Sequence, residues 1–402
     1  MKREDYVIFS EGKIGKLNLI NRLVRSSTWD PSILSIRQMT DEVLNLYRNL
    51  ALGGIGLIIT GGFPVFRERT SRDSPGEWLL SFSSLRVKDL ERMIQVVHDA
   101  NSKCKIVAQL ENGNISARPS DIESPFSKRK LRILNQEEIS DIIDSFVEAI
   151  IDVKETGFDG VQLHAAHGGL LSRFLSSYSN RREDLYGGTV SKRVRIIKEI
   201  VSIARISVGD FPILIKMNCT DYMKGGTDIN TFPSLAKEIE NTGVNAIEIS
   251  GGMWDCLIRS QEELGFRPVP TPESHTRIRS PEKQSYFLKY AEKLNLSIPI
   301  ILVGGNRHIE RLESIIKQGK VDFIAISRPL ISEPDLPNRW LEGRGGNATE
   351  CISCNSCIYN MYVHPGKPKP GLVTCVYKED KEIHKLAQKW LSSWVNKHSL
   401  SK

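Results

Sequence analysis

An alternation runs through the chain. Short runs rich in β-branched and apolar residues recur about every 30 to 50 positions, and a longer stretch with helical spacing follows each of them. Eight runs read as strands: 23–27, 56–60, 105–109, 160–164, 212–217, 246–250, 299–303 and 323–327. Between them, apolar residues three and four apart predict amphipathic helices over 40–52, 85–100, 136–156, 190–205, 232–242, 282–294 and 309–318. Strands separated by helices must run parallel, with right-handed crossovers. Eight such units closing on themselves make a (β/α)₈ barrel, the TIM-barrel form of the α/β class. The barrel is expected over residues 1–337. Residues 338–402, with a cysteine group, a Pro/Gly/Lys stretch at 363–371 and a final amphipathic helix near 381–396, form a C-terminal extension.

Charge narrows the partners. Lys and Arg number 55 against 48 Asp and Glu, a formal net charge of +7, and the two signs are interleaved, so no basic arm for nucleic acid is present. No apolar run approaches the roughly 18 to 20 residues that a membrane helix needs, and the opening MKREDYVIFSEGK has no apolar core of a secretion signal. A cytoplasmic protein is expected, acting on a small-molecule substrate, with further copies of itself in a homo-oligomer as the one macromolecular partner left open.

In such barrels the chemistry sits where strands end. Long connections at 61–84, 110–135 and 251–281, the last carrying Trp254 and Arg267, all follow strands and belong to that face. The fourth strand runs into His164 and His167, whose rings can grip an anionic oxygen or a carbonyl; metal binding competes, but no third ligand stands beside them. Ser26, Ser27 and Thr28 follow the first strand, Gln109 ends the third, and Lys216 and Asn218 end the fifth. Together they suit a flat heteroaromatic cofactor with an amide-like edge. Gly304 and Gly305 after strand seven, with Ser327 and Arg328 after strand eight, stand where these barrels bind phosphate.

Several longer motifs carry a resemblance: NRLVRSSTW at 21–29, GGIGLIIT at 53–60, GFDGVQLHAAHG at 157–168, FLS at 174–176 with NRR at 180–182 and YGG at 186–188, VGG at 303–305 and SRPL at 327–330. The chain resembles the Old Yellow Enzyme family, also called NADH:flavin oxidoreductases, from about residue 9 to 337. The resemblance implies FMN on the barrel's C-terminal face and NAD(P)H as the electron donor. Ser26, Ser27, Thr28 and Gly62 would contact the isoalloxazine, Gln109 its pyrimidine edge, and Lys216 would stand near N1 and O2 where many relatives carry arginine. Gly304, Gly305, Ser327 and Arg328 would hold the phosphate. His164 and His167 would bind the oxygen of a carbonyl-, nitro- or quinone-type acceptor that reoxidises the flavin.

Two positions depart from the family pattern. Gly169 stands where a proton-donating tyrosine is usual, and Asn112 where relatives often have histidine. Of seven cysteines, Cys351, Cys354, Cys357 and Cys375 crowd into 25 residues. Their spacing is similar to the iron–sulfur loop of 2,4-dienoyl-CoA reductase-like members, although the third cysteine there lies one residue further on. An iron–sulfur cluster, a structural zinc and free thiols all remain open. The alternatives to an oxidoreductase of this kind are a dienoyl-CoA-type reductase without the fused FAD and NAD domains, and a non-catalytic flavoprotein serving as a binding or electron-relay partner.

Overall fold

The computed structural model describes residues 3–29, 39–65, 87–112, 117–122, 131–267, 271–362 and 373–398. Eight parallel strands close into a barrel in chain order: Leu23–Arg25, Leu57–Pro64, Lys105–Glu111, Gly160–Ala165, Ile213–Asn218, Ala246–Ser250, Ile300–Leu302 and Phe323–Ile326. Every predicted strand is there. The last pairs with the first through Ile324 and Leu23, which leaves no free edge. Both faces of the strands are covered, so nearly every strand residue is buried, as parallel sheets require.

Two layers of core follow from the strand pleat. Val24, Leu57, Ile59, Val107, Leu214 and Phe323 fill the barrel, and the hairpin Gly12–Ile14 with Leu17–Leu19 packs Ile14, Leu17 and Leu19 against them. Residues of opposite parity face the surrounding helices, Asp41–Leu52, Val87–Ala100, Gln136–Thr156, Val190–Val208, Phe232–Glu240 and Ile309–Lys317. Local chemistry sets the helix ends. Asn135 and Glu138 form a reciprocal capping box at the start of Gln136–Thr156, and Gly157 closes that helix at φ 97°, which a side chain disfavours.

The helix predicted over 282–294 is broken. Only the short turn Pro281–Lys283 and the single turn Leu288–Ala291 form. Ser285 is left-handed at φ 51°, its hydroxyl donates to Asn306 Oδ1 at 2.9 Å, and the next N–H, of Tyr286, donates to Gly304 O. Bonds to the end of the seventh strand thus replace helical ones. After the eighth strand come Leu336–Leu341, Cys357–Tyr362 and Lys381–His398. The stretch at 363–371 and most of the loop at 61–84 lie outside the described residues. Among the described residues no helix is long and apolar enough to cross a membrane.

Candidate active site

Side chains alternate along a strand, so Gln109 and Glu111 on the third, Gln162 and His164 on the fourth, Lys216 on the fifth and Glu248 on the sixth all turn into the barrel. They bond in sequence across its upper layer. Ser27 Oγ donates to Gln109 Oε1 (2.9 Å), Gln109 Nε2 to Gln162 Oε1 (2.7 Å) and Gln162 Nε2 to Glu248 Oε2 (2.8 Å). The other oxygen of Glu248 receives Ser26 Oγ at 2.5 Å and lies 3.1 Å from Lys216 Nζ, which itself donates to Ser26. The Lys216 and Glu248 side chains are 5% and 0% exposed. Lys216, expected near N1 and O2 of the flavin, is half of a buried ion pair. Such a pair is tolerated only with its remaining polar atoms satisfied, as the serine and glutamine here do.

One layer higher, His164 and His167 stand with ring centroids 5.1 Å apart. Asn218 Oδ1 accepts the His167 N–H, holding that residue in a left-handed turn at φ 60°, and His167 Nε2 lies 2.7 Å from Ser250 Oγ. Burial, then the charge of Lys216, lowers the His164 pKa to about 3. Burial, His164 and Lys216 likewise push His167 well below the usual range. Both rings are neutral at pH 7 and act through N–H groups, not charge. His164 Nδ1 is buried without a partner among the described residues. Gly169 takes extended backbone (φ −60°, ψ 169°) that any residue adopts, and a Cβ there would make ordinary contacts with Ala166 O at 3.4 Å and His164 Cδ2 at 3.7 Å, so a side chain at 169 would start beside that ring.

At the ends of strands seven and eight, Gly304 (φ 111°) and Gly305 (φ 76°) turn their backbone left-handed, and a Cβ on either would strike the Tyr286 ring at 2.8 Å. The N–H groups of Gly304, Gly305, Ser327 and Arg328 donate to no acceptor among the described residues. Successive free N–H groups in such a turn are an anion cradle. Thr28 Oγ1 sits 2.7 Å from Ser327 Oγ, bringing the first strand's end to the same place. Arg328 is partly committed elsewhere: Nη1 donates to His275 O at 2.9 Å and to Asn355 Oδ1 in the cysteine loop.

A model of the NADH:flavin oxidoreductase / NADH oxidase family matches residues 8–347. The chain belongs to that family. It is similar to an NADH oxidase of Thermoanaerobacter brockii, 30% identical in an alignment of 370 residues that covers 87% of this chain and 53% of the relative, so it spans about half the length of that protein. A 4,4'-dithiodibutanoate disulfide reductase of Rhodococcus erythropolis is 24% identical over 88% of this chain and 93% of its own length. In structure, the chain resembles a 2-naphthoyl-CoA reductase complex (TM-score 0.77, 21% identity, 96% of this chain and 58% of that one). It also resembles an Old Yellow Enzyme homologue from Zymomonas mobilis (TM-score 0.65, 22% identity, 86% and 95%). These two likenesses concern the fold.

Within this family frame the structure brings forward groups that motif reading passed over. Glu111 lies two residues beyond Gln109 and so shares its inward face; its carboxyl carbon would be 2.8 Å from a Cβ on Gly62, and burial raises its pKa to about 7. No hydrogen bond or ion pair engages that carboxyl among the described residues. Period-two counting along the third strand would have found it. Glu273, from the loop after strand six, is half-buried, with Oε2 enclosed and unpartnered among the described residues and with Lys216 and Arg328 within its electrostatic reach. Nothing in its own sequence neighbourhood signals that. Asn112, in the place of the family histidine, donates to Val65 O at 2.9 Å and ties the second strand's exit to the third.

The four C-terminal cysteines line one small cavity with Arg328 and Asn355. Ser353 and Asn355 are left-handed (φ 56° and 60°), which curls the loop round Cys354, and Arg307 donates to Ser353 Oγ through Nε and Nη2. Burial raises the Cys357 thiol to about 12, and the neighbouring Cys351 adds to it. Among the described residues, no three His, Cys, Asp or Glu side chains close on a single metal ion.

Proposed function

We propose that this chain is an NAD(P)H-dependent flavin oxidoreductase that holds FMN across the barrel mouth and delivers electrons to a carbonyl-, nitro- or quinone-type acceptor gripped by His164 and His167. The observation that carries the reading is the set of unspent N–H groups on Gly304, Gly305, Ser327 and Arg328, which fits a phosphate. Bound FMN would supply the hydride chemistry. Gln109, already oriented by Ser27 and Gln162, offers its amide to the pyrimidine edge, while Ser26, Thr28 and Gly62 border the ring. The names of the relatives, among them an NADPH dehydrogenase of Listeria innocua, agree with the donor.

In the tautomer in which His167 Nε2 accepts from Ser250 Oγ, the Nδ1–H of that ring is left for the acceptor's oxygen. Neutral rings polarise that oxygen without a competing counter-charge. An enone also needs a proton at its α-carbon, and Gly169 has none to give. Glu111 is the acid in this reading: it follows Gln109 on the inward face of the third strand, next to the strand that carries His164, and its pKa, raised by burial to about 7, lets it give up a proton near neutrality.

The four thiols we assign to one iron–sulfur cluster, since they surround a single cavity and their spacing is similar to the cluster loop of dienoyl-CoA reductase-like members. Residues 1–337 form the flavin domain and 338–402 its cysteine-bearing extension. Anaerobic mixing with NADH or NADPH tests the whole: bleaching of the flavin band and its return with an acceptor are expected. A protein purified with and without added FMN that shows no flavin band overturns the reading. Iron and sulfide near four per chain are expected from anaerobic preparations; zinc alone would replace the cluster assignment.

A further inference from the structure

Beside the His167–Gly168 turn, the rim of the mouth gathers more positive charge than the fold uses. Arg118 ends the short strand Ala117–Arg118, Arg173 lies on Leu170–Leu175, and the Arg181 N–H is tied to Ser120 Oγ at 2.7 Å. Asp255, 1% exposed, places Oδ2 3.1 Å from Arg173 Nη2, so that pair is neutral. Among the described residues Arg118 has no such partner. The residue is 4% exposed, yet its Nε and Nη1 meet no acceptor among them. The charges it feels are Arg173, the exposed Asp121 and the already paired Asp255. An arginine cannot shed its proton, so an unpaired buried guanidinium is a standing cost to the fold. Buried polar groups without partners mark places where a ligand completes the bonding.

The position relative to the reacting centre gives the ligand. A Cβ on Gly168 would lie 3.7 Å from Arg173 Nη2 and 3.4 Å from Trp254 N, so the cluster borders the turn that presents His167. We propose that Arg118, with Arg173 beside it, is a subsite for a carboxylate on the acceptor, selecting anionic substrates whose reducible end reaches His164 and His167. One uncompensated cation suits a monoanion; a dianionic phosphate would need a second, and Asp255 has already taken Arg173. The inference rests on the reading of the two histidines as the acceptor grip.

Calorimetry on the FMN-loaded protein, with 4-hydroxybenzoate and its neutral amide as paired probes, separates the two ideas. The benzoate is expected to bind at least tenfold more tightly than 4-hydroxybenzamide, with an advantage that shrinks as NaCl is raised. A charge-assisted bond at a desolvated site corresponds to roughly ten- to a hundredfold in affinity; Arg118→Met should remove that factor for the benzoate and leave the benzamide and FMN unaffected. Arg118→Lys, which keeps the charge, should recover part of it. Equal affinities for the two probes in the unaltered protein overturn the carboxylate subsite without needing any variant, as does undiminished benzoate binding by Arg118→Met. Loss of binding of both probes in His164→Ala/His167→Ala, with FMN retained, is the separate requirement of the acceptor grip; binding unchanged there overturns that grip and the subsite with it.

Discussion

Replacing Lys216 by methionine removes one member of the buried pair and leaves Glu248 with two neutral donors, the Ser26 hydroxyl and the Gln162 amide. The carboxylate is fully buried and its lost partner stood 3.1 Å away, so no water is at hand to replace the ammonium. Stranding a buried charge in this way typically costs about 3 to 5 kcal/mol, a large share of the roughly 5 to 15 kcal/mol that holds a domain together. The assay is urea unfolding of Lys216→Met against the unaltered protein, with the midpoint shift read at unchanged slope. The double variant Lys216→Met/Glu248→Gln removes the stranded charge and should regain about 0.5 to 3 kcal/mol of the loss, the usual range for coupled neighbours. FMN affinity should follow the same order, because the single variant turns an uncompensated negative charge toward an electron-rich ring edge. A single variant within about 0.5 kcal/mol of the original, the range of an ordinary surface change, or a double variant less stable than the single, would refute the account of the pair.

Arg328→Ala should weaken FMN binding by roughly ten- to a hundredfold, the worth of a desolvated charge-assisted bond, in a titration of the apoprotein. Glu273→Gln should tighten it several-fold, since a carboxylate within reach of both Lys216 and Arg328 competes with the phosphate for their charge. Glu111→Gln should leave flavin reduction by NAD(P)H and reoxidation by quinones intact while slowing reoxidation by cyclohexenone by about 10²- to 10⁴-fold. As Glu111 must be protonated to act, that enone step in the unaltered protein should fall as pH rises through about 7, and the fall should vanish in the variant. Gly169→Tyr should raise enone turnover and partly bypass Glu111, because the backbone at 169 accepts a side chain and a Cβ there meets only ordinary contacts beside His164; no gain in Glu111→Gln/Gly169→Tyr would count against both assignments.

The repeating period of strand and helix determined the barrel, its direction of chemistry and the strand ends on which His164, Gln109, Lys216 and Gly304 stand, because burial of both faces of a parallel strand leaves its mark in consecutive residues. The bounds of the helix at 136–156 were equally legible, and the structure caps them with Asn135, Glu138 and Gly157. Partnerships across the barrel were not. Ser26 and Lys216 are 190 positions apart, and Gln162 and Glu248 are 86 apart, so only closure of the barrel brings them to bonding distance. The same holds for the helix broken at Ser285, where bonds to Gly304 and Asn306 outweigh a favourable local pattern. Arg118 looks like an ordinary surface charge in the sequence; burial makes it a chemical group, and burial is a property of everything that surrounds a residue and of little that adjoins it in the chain.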